Sequence, residues 1–338
     1  MKRMKRFELG VVGGLLAALL TCALPLAAKA ETVRLAAQYG IAYLPLTVMK
    51  TRHLLEKLGR QEGLSLKTNW RQFTGGVEMN EALISGQLDI ASGGVAPMVL
   101  LWARSRHNLR VRGIAALTSM PLYLNTIDPK VKSIKDFTSK DRIAMPAAGV
   151  SIQAITLMME AAKVFGPKGA KKLNPLTVSM SHPDGMAALL ARKAGITAHF
   201  TAPPYMFEEL EKPGVHRVLD SYTVLGGPAT FTVLWTSARF VQENPKILGI
   251  FVAALKKADR FIDAHPAKAA KIYIATTHTP LSQKNLERMI KNPEIRWTIA
   301  PQRTMEYARF MAGIGMIKKA PKSWKSLFFP AIGKEPGS

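Results

Sequence analysis

Thiols are nearly absent from this chain. Its single cysteine, Cys22, lies in the first thirty residues. Residues 31–338 therefore have none, which excludes disulfides, thiolate metal sites, iron–sulfur clusters and cysteine nucleophiles there. Acids are scarce as well, with 23 Asp+Glu against 47 Lys+Arg in 338 residues. After residue 30 no stretch approaches the roughly 18 uninterrupted apolar residues of a membrane span. Several catalytic signatures are missing: no Gly-x-Gly-x-x-Gly follows the first strand, and there is no Walker A run or Gly-x-Ser-x-Gly elbow. The histidines at 53, 107, 182, 199, 216, 265 and 278 never repeat at i+4, so a helical zinc site is not expected. No carboxylate pair demands explanation. Hydrophobic residues make up 48% of the chain and charged residues 21%, a composition that folds rather than one that stays disordered.

The N-terminus reads as an export signal. Lys2, Arg3, Lys5 and Arg6 form a basic head, Gly10–Ala28 is apolar, and Ala28-Lys29-Ala30 fits a small-x-small cleavage site before Glu31. Pro25 and the small residues at 28 and 30 favour cleavage over a retained membrane anchor. Thr21 before Cys22 fits poorly with a lipid-attachment site. The expectation is an exported, periplasmic chain beginning at Glu31, with 42 bases and 22 acids.

Apolar periodicity then alternates between two and about 3.6 residues. Strands are predicted at 31–37, 64–70, 88–92 and 111–117, with helices at 46–59, around 79–83 and from Pro97 to Ala103. That βαβαβαβ order implies a parallel sheet with helices on both faces. The pattern restarts with strands at 122–127, 142–146, 176–180, 196–200 and 217–219. Its helices are predicted at 151–165 and from an Asp184 N-cap to Ala194. One more strand spans 230–235, after which only helices are expected, at 245–264, 267–276, 282–291 and 303–317. Residues 83–98 and 191–206 match in kind: each is a helix end, a short strand, then a Pro-containing loop that opens a helix. The reading is two similarly built α/β lobes facing each other.

Ligands bind at the C-terminal ends of strands in such sheets. The loops there are 38–45, 74–77, 93–97, 146–153, 201–205 and 226–230; they are rich in Gly, Ala, Thr, Ser, Pro, Gln and Tyr and carry no charge. Several open helices, so backbone N–H groups would meet an oxyanion, and Tyr39, Tyr43 and Tyr205 offer flat faces. Backbone N–H of Gly75, Gly76 and 149–151, hydroxyls of Thr74 and Ser151, and the amides of Gln38 or Gln153 would hold one small polar head. A mono-anionic or neutral organic solute is expected over a dianion. Ser181, His182 and Asp184 lie close in sequence but read as a helix-capping loop, not as catalytic groups. The basic residues lack interleaved aromatics, which argues against nucleic acid.

The order of several segments resembles the substrate-binding proteins of ABC importers, in the nitrate/sulfonate/taurine group (the aliphatic-sulfonate-binding, thiamine-pyrimidine-synthase-like family). The matching stretches are Gly-Ile-Ala-Tyr-Leu-Pro-Leu (40–46), Phe-Thr-Gly-Gly (73–76), Glu-Ala-Leu-Ile-Ser-Gly-Gln-Leu-Asp-Ile-Ala (81–91), Gly-Gly-Val-Ala-Pro (93–97), Ser-Ile-Lys-Asp-Phe (133–137), Met-Ala-Ala-Leu-Leu-Ala (186–191) and Glu-Asn-Pro (243–245). The resemblance implies a type II periplasmic-binding-protein fold. Lobe 1 would comprise residues 31–118 with 228–338, and lobe 2 residues 119–227. Carried over one position at a time, it implies a substrate site of Gln38, Tyr39 and Tyr43, then Thr74 and Gly75, then Val95 and Ala96. Lobe 2 would add Ala148, Gly149, Val150 and Ser151, then Pro203 and Tyr205. No catalytic residue, metal or cofactor is implied. The implied partners are a small solute and an ABC permease with its cytoplasmic ATPase, and the implied state is a monomer. Thr197 stands where the family often has an acid. The alternatives are an exported α/β hydrolase and the family's pyrimidine-synthase branch, which depends on cysteines.

Overall fold

The computed structural model describes residues 30–192 and 195–338. The expected signal, apart from Ala30, lies outside the described residues, as does Ala194 at the expected end of the 184–194 helix. Among the described residues no helix is long and apolar enough to cross a membrane.

Among the described residues there are eleven strands: β1 (Glu31–Ala37), β2 (Leu66–Gln72), β3 (Ala91–Gly94), β4 (Arg112–Ser119), β5 (Tyr123–Thr126), β6 (Ile143–Met145), β7 (Thr177–Ser179), β8 (Ala198–Thr201), β9 (His216–Asp220), β10 (Thr230–Thr236) and β11 (Arg296–Trp297). Lobe 1 is built on β1 paired parallel with β2, and on the order β11-β4-β10-β3. A parallel bridge between Leu35 and Ile90 joins the two groups. Lobe 2 is one five-stranded sheet of order β7-β6-β8-β5-β9. Numbered from β1 in lobe 1 and from β6, the strand after the antiparallel β5, in lobe 2, the orders coincide. The second strand flanks the first, the third lies on its other side, and an antiparallel strand separates the third from the fourth.

That antiparallel strand corrects the expectation of a purely parallel first sheet. β10 arrives from the other lobe and inserts between β3 and β4, antiparallel to both. All seven of its residues are buried, as a central strand requires. Its apolar run marked it as a strand; its direction depends on the crossover, which periodicity does not encode. The short β11 pairs with β4 and interrupts what was expected to be helix only.

Helices cover both sheets. The segment expected as one helix at 46–59 is two, Leu44–Thr51 and Leu54–Gln61, because His53 between them takes a left-handed conformation (φ 51°). Ser181, not Asp184, caps the 182–190 helix: its Oγ accepts from the Asp184 N–H. The helix at Pro245–Ala264 forms over its predicted span and buries the predicted stripe of Ile247, Phe251, Leu255, Ala258 and Ile262.

Two crossovers connect the lobes, at 120–122 and 226–229. Ser119, which ends β4 at the start of the first crossover, donates its hydroxyl to the Ala229 carbonyl of the second at 2.7 Å, and Leu122 and Ser221 exchange backbone and hydroxyl hydrogen bonds at 2.8–2.9 Å. The Arg303 guanidinium donates to the carbonyls of Leu225 (3.1 Å) and Gly226 (2.9 Å) and fixes the second crossover to lobe 1.

Candidate functional site

The two lobes meet where their strands end. β1 runs into Gln38, whose side-chain amide donates to the Ser92 carbonyl at 3.1 Å and ties this loop to β3. Gly40 follows with φ 108°, a conformation that L side chains rarely adopt. A Cβ there would lie 2.9 Å from the Pro203 carbonyl oxygen of lobe 2. The same oxygen accepts from the Ile41 N–H at 3.2 Å. A Cβ on Gly94 would meet Ile152 at 2.9 Å, and one on Gly75 would meet the Pro146 oxygen at 3.2 Å. Missing side chains at three lobe 1 loops thus allow direct lobe-to-lobe contact. Thr156 and Tyr307 add an interlobe hydroxyl contact at 3.1 Å, and Arg288 with Glu211 an exposed ion pair at 3.3 Å.

Between the lobes lie two spaces that share bordering residues. The inner chamber measures ≈ 20 Å³ and is bordered by Gln38, Tyr39 and Tyr43 from lobe 1 and by Ser151, Gln153 and His182 from lobe 2. That volume is about the room for one water. An organic solute therefore requires the lobes to move apart or occupies the mouth. The mouth measures ≈ 600 Å³, shares Gln38, Tyr39 and Tyr43, and adds Trp70, Tyr205 and Tyr273.

The predicted residues divide accordingly. Gln38, Tyr39, Tyr43 and Ser151 border the inner chamber, and Tyr205 borders the mouth. Pro203 and Gly75 sit at the lobe contact. Val95 and Ala96 are fully buried in the first turn of the 95–104 helix and border neither space. The Thr74 side chain is exposed and donates to Glu78, so it too borders neither. Ala148, Gly149 and Val150 are half-buried on the lobe 2 loop without lining either space; the Ala148 N–H donates to Ser179 at 3.0 Å. Ser151 also caps its helix, accepting from the Ala154 N–H.

No Lys, Arg, Asp or Glu borders the inner chamber, whereas Lys50, Arg71 and Glu208 also border the mouth. Those residues come from helix interiors and a strand end, not from the loops read as the site. Tyr273 and the 276–280 segment were missed for the same reason: a C-terminal helix reaches back to the mouth, and nothing local signals it.

His182 lies in the capping loop as read, directly after the Ser181 cap, and it also borders the chamber. It begins a buried polar array. Neither ring nitrogen bonds to Ser181, whose hydroxyl is engaged with Asp184, so no hydrolase-like triad is assembled. His182 Nδ1 contacts Thr201 Oγ1 at 2.9 Å and His199 Nε2 at 3.5 Å. His199 Nδ1 meets Glu209 at 2.5 Å, and the second Glu209 oxygen accepts from Asn125 at 2.9 Å. Because a carboxylate only accepts, His199 carries its proton on Nδ1. The array is continuous: Gln153 lies 3.4 Å from His182 Nε2, His182 Nδ1 meets Thr201 and His199, and His199 donates to Glu209. Burial, reinforced by the neighbouring His199, holds the His182 pKa well below the usual histidine value, so the ring presented to the chamber is neutral. Tyr205 stacks on it with centroids 5.7 Å apart. Burial raises the pKa values of Tyr43 and Tyr205, which keeps both phenols neutral.

A family model described as NMT1/THI5 like matches residues 60–269. The chain belongs to the NMT1/THI5-like family. No curated protein matches its sequence. Solved structures match over nearly its whole length. The alkanesulfonate-binding protein SsuA from Xanthomonas axonopodis pv. citri, bound to MOPS, aligns with TM-score 0.68 and 17% identity over 90% of this chain and 99% of that one. The periplasmic aliphatic sulphonate binding protein SsuA from Escherichia coli gives 0.63 and 17% over 88% and 98%. The periplasmic nitrate-binding protein NrtA from Synechocystis PCC 6803 gives 0.67 and 11% over 91% and 86%. At these identities the likeness establishes the periplasmic-binding-protein fold of this NMT1/THI5-like chain.

Proposed function

We propose that this protein is the periplasmic solute-binding component of an ABC importer, which captures a small organic solute by lobe closure and hands it to the permease without chemical change. Lobe 1 would comprise residues 31–118 and 228–338 and lobe 2 residues 119–227, a division supported by the strand membership of the two sheets. Export through residues 1–30 agrees with the periplasmic proteins among the structural neighbours. The observation that carries the reading is the cleft itself: both lobes contribute walls, tyrosines from each face it, and its inner end bears no charged group. A solute touching both lobes stabilises the closed arrangement by its differential contacts, and the closed arrangement is what a permease can recognise.

The chemistry favours a neutral or mono-anionic head with an organic body. Gln153 and neutral His182 offer dipoles at the inner end, while the aromatic walls of the mouth pack the rest. A dianion would lack a guanidinium fork in the inner chamber. Nitrate, sulfonates, taurine, aromatic carboxylates and pyrimidines form the test panel. One class is expected to raise the melting temperature, by about 2.7 kcal/mol of stabilisation at a hundred times Kd. Mass spectrometry should recover that ligand unchanged. A product formed from it, or tight calorimetric binding of inorganic sulfate, would overturn the proposal.

A further inference from the structure

Far from the cleft, the chain has two long segments without a single acid. Residues 90–127 carry Arg104, Arg106, Arg110 and Arg112, and residues 307–334 carry Arg309, Lys318, Lys319, Lys322, Lys325 and Lys334. The fold brings them together. Gly113 bridges Phe328, the Phe329 N–H donates to the Gly113 carbonyl at 2.8 Å, and the Trp102 indole donates to the Ser326 carbonyl at 3.1 Å. A Cβ on Gly113 would lie 2.3 Å from the Phe328 ring, so this join depends on glycine.

The result is a groove of ≈ 760 Å³ bordered by Arg106, Arg110, Arg112, Lys319, Lys322 and Lys325 and by no carboxylate. All six are exposed, and none has an ion-pair partner among the described residues. Three are steadied on aromatic faces: Arg106 over Trp102 at 4.6 Å, Lys325 over Trp324 at 5.8 Å and Arg112 over Phe329 at 6.0 Å. The rings beneath are buried and fixed. Arg112 opens β4, whose opposite end at Ser119 leads into the crossover, so the groove occupies the pole of lobe 1 away from the cleft.

Like charges gathered round one concavity repel each other, and a multivalent anion relieves that repulsion. Guanidinium forks match phosphate oxygens bidentately, and ammonium groups add point charge. We propose that this groove is a second anion site, for clustered phosphate groups, separate from the solute cleft and independent of the transport reading.

The probes are inorganic tripolyphosphate by calorimetry, and phosphatidylglycerol against phosphatidylcholine vesicles by co-sedimentation, all at low salt. Tripolyphosphate should bind and be displaced as salt rises, because its attraction is screened. The triple variant Arg110→Gln/Lys319→Gln/Lys322→Gln should lose about tenfold or more in affinity, while Lys168→Gln/Lys171→Gln/Lys172→Gln, with the same change in net charge, should stay within about twofold. Unchanged melting curves of both variants show that folding is intact. Retention on phosphatidylglycerol vesicles, reversed by tripolyphosphate, would identify a lipid headgroup surface as the source; tripolyphosphate binding without retention would identify a soluble polyphosphate. No binding of either probe, or equal losses in the two triple variants, would overturn the site.

Discussion

The two lobes share a blueprint and differ at one place in it. In lobe 1 the N–H groups of Asp89 and Ile90 both donate to the Arg34 carbonyl; in lobe 2 those of Thr197 and Ala198 both donate to the Arg142 carbonyl. These bonds align the third strands residue by residue, with Ala91 opposite His199 in the comparison. In lobe 1, Ala91 pairs with Trp235 on the antiparallel strand, and the indole N–H is satisfied by Asn80 at 3.0 Å. In lobe 2, His199 pairs with Asn125, and both bond to Glu209. One lobe fills the position with a large ring over a small residue. The other fills it with a polar array that reaches the chamber through His182. A common topology thus sets where the cleft lies, and the residues at this strand decide which lobe brings polarity to it.

The difference is broken most severely at Glu209. Glu209→Ala leaves His199 buried without its acceptor and Asn125 with only the Met206 carbonyl, and urea denaturation should show a loss of about 3 kcal/mol or more. An equal loss from Asn80→Ala in lobe 1 would mean that the two arrangements carry the same weight. The first-strand loops offer a second contrast. Gly40 has φ 108° and faces the Pro203 oxygen, whereas Gly149 has φ 77° and open space around it. Both alanine variants carry backbone strain of about 1–3 kcal/mol, but only Gly40→Ala also pushes lobe 2 away. Small-angle scattering should show a larger radius of gyration for Gly40→Ala than for Gly149→Ala. Equal radii would show that Gly40 does not govern the lobe contact.

What was legible in the sequence follows from what is local. The repeat at 83–98 and 191–206 marks the equivalent third strands, because strand ends, glycines and prolines mark positions without needing tertiary context. The tyrosines at 39, 43 and 205 reach the cleft because strand-end loops do so in this topology. The direction of β10, the approach of Tyr273 to the mouth and the joining of His182, His199 and Glu209 depend on contacts across many residues. Thr74 had the right residue type in the right loop, and its hydroxyl turned to Glu78 four residues on. Local capping outcompeted the cleft for that side chain.

Acid provides a smaller test confined to lobe 2. The folded-state pKa of His182 is depressed well below its ordinary value of 6.5 by burial and by His199. Above the ordinary value neither state binds the proton, and this residue adds no pH dependence. Below it the unfolded chain takes up a proton that the folded chain refuses, so stability falls as pH drops toward the folded pKa, by up to about 1.4 kcal/mol per pH unit. His182→Gln should flatten that part of the denaturation profile. A profile of the same slope in the variant would assign the effect elsewhere.

The smallest expected effect lies where the lobes differ in charge alone. Arg34 N–H donates to the Asp89 carboxylate at 2.8 Å, while Arg142 N–H donates to the Thr197 hydroxyl at 3.2 Å. The Arg34 guanidinium also grips Asp89, but its side chain is 40% exposed. The Arg142 guanidinium turns instead to the carbonyls of Ser139 and Asp141, at 2.8 and 2.7 Å. Thr197 uses its proton to bond Asp141 at 2.9 Å, which an acid there would repel, so the departure from the family's usual residue is fitted to its neighbour. Asp89→Thr writes the lobe 2 solution into lobe 1. The backbone bond survives through the hydroxyl and water takes over the exposed guanidinium, so the loss should be about 1 kcal/mol or less by urea denaturation. Thr197→Asp, the reverse exchange, sets two carboxylates against each other and should cost more at neutral pH than at acid pH, where one carboxylate is protonated. If Asp89→Thr costs more than Thr197→Asp at neutral pH, the two arrangements are not interchangeable, and the charged pair is a requirement of lobe 1 itself.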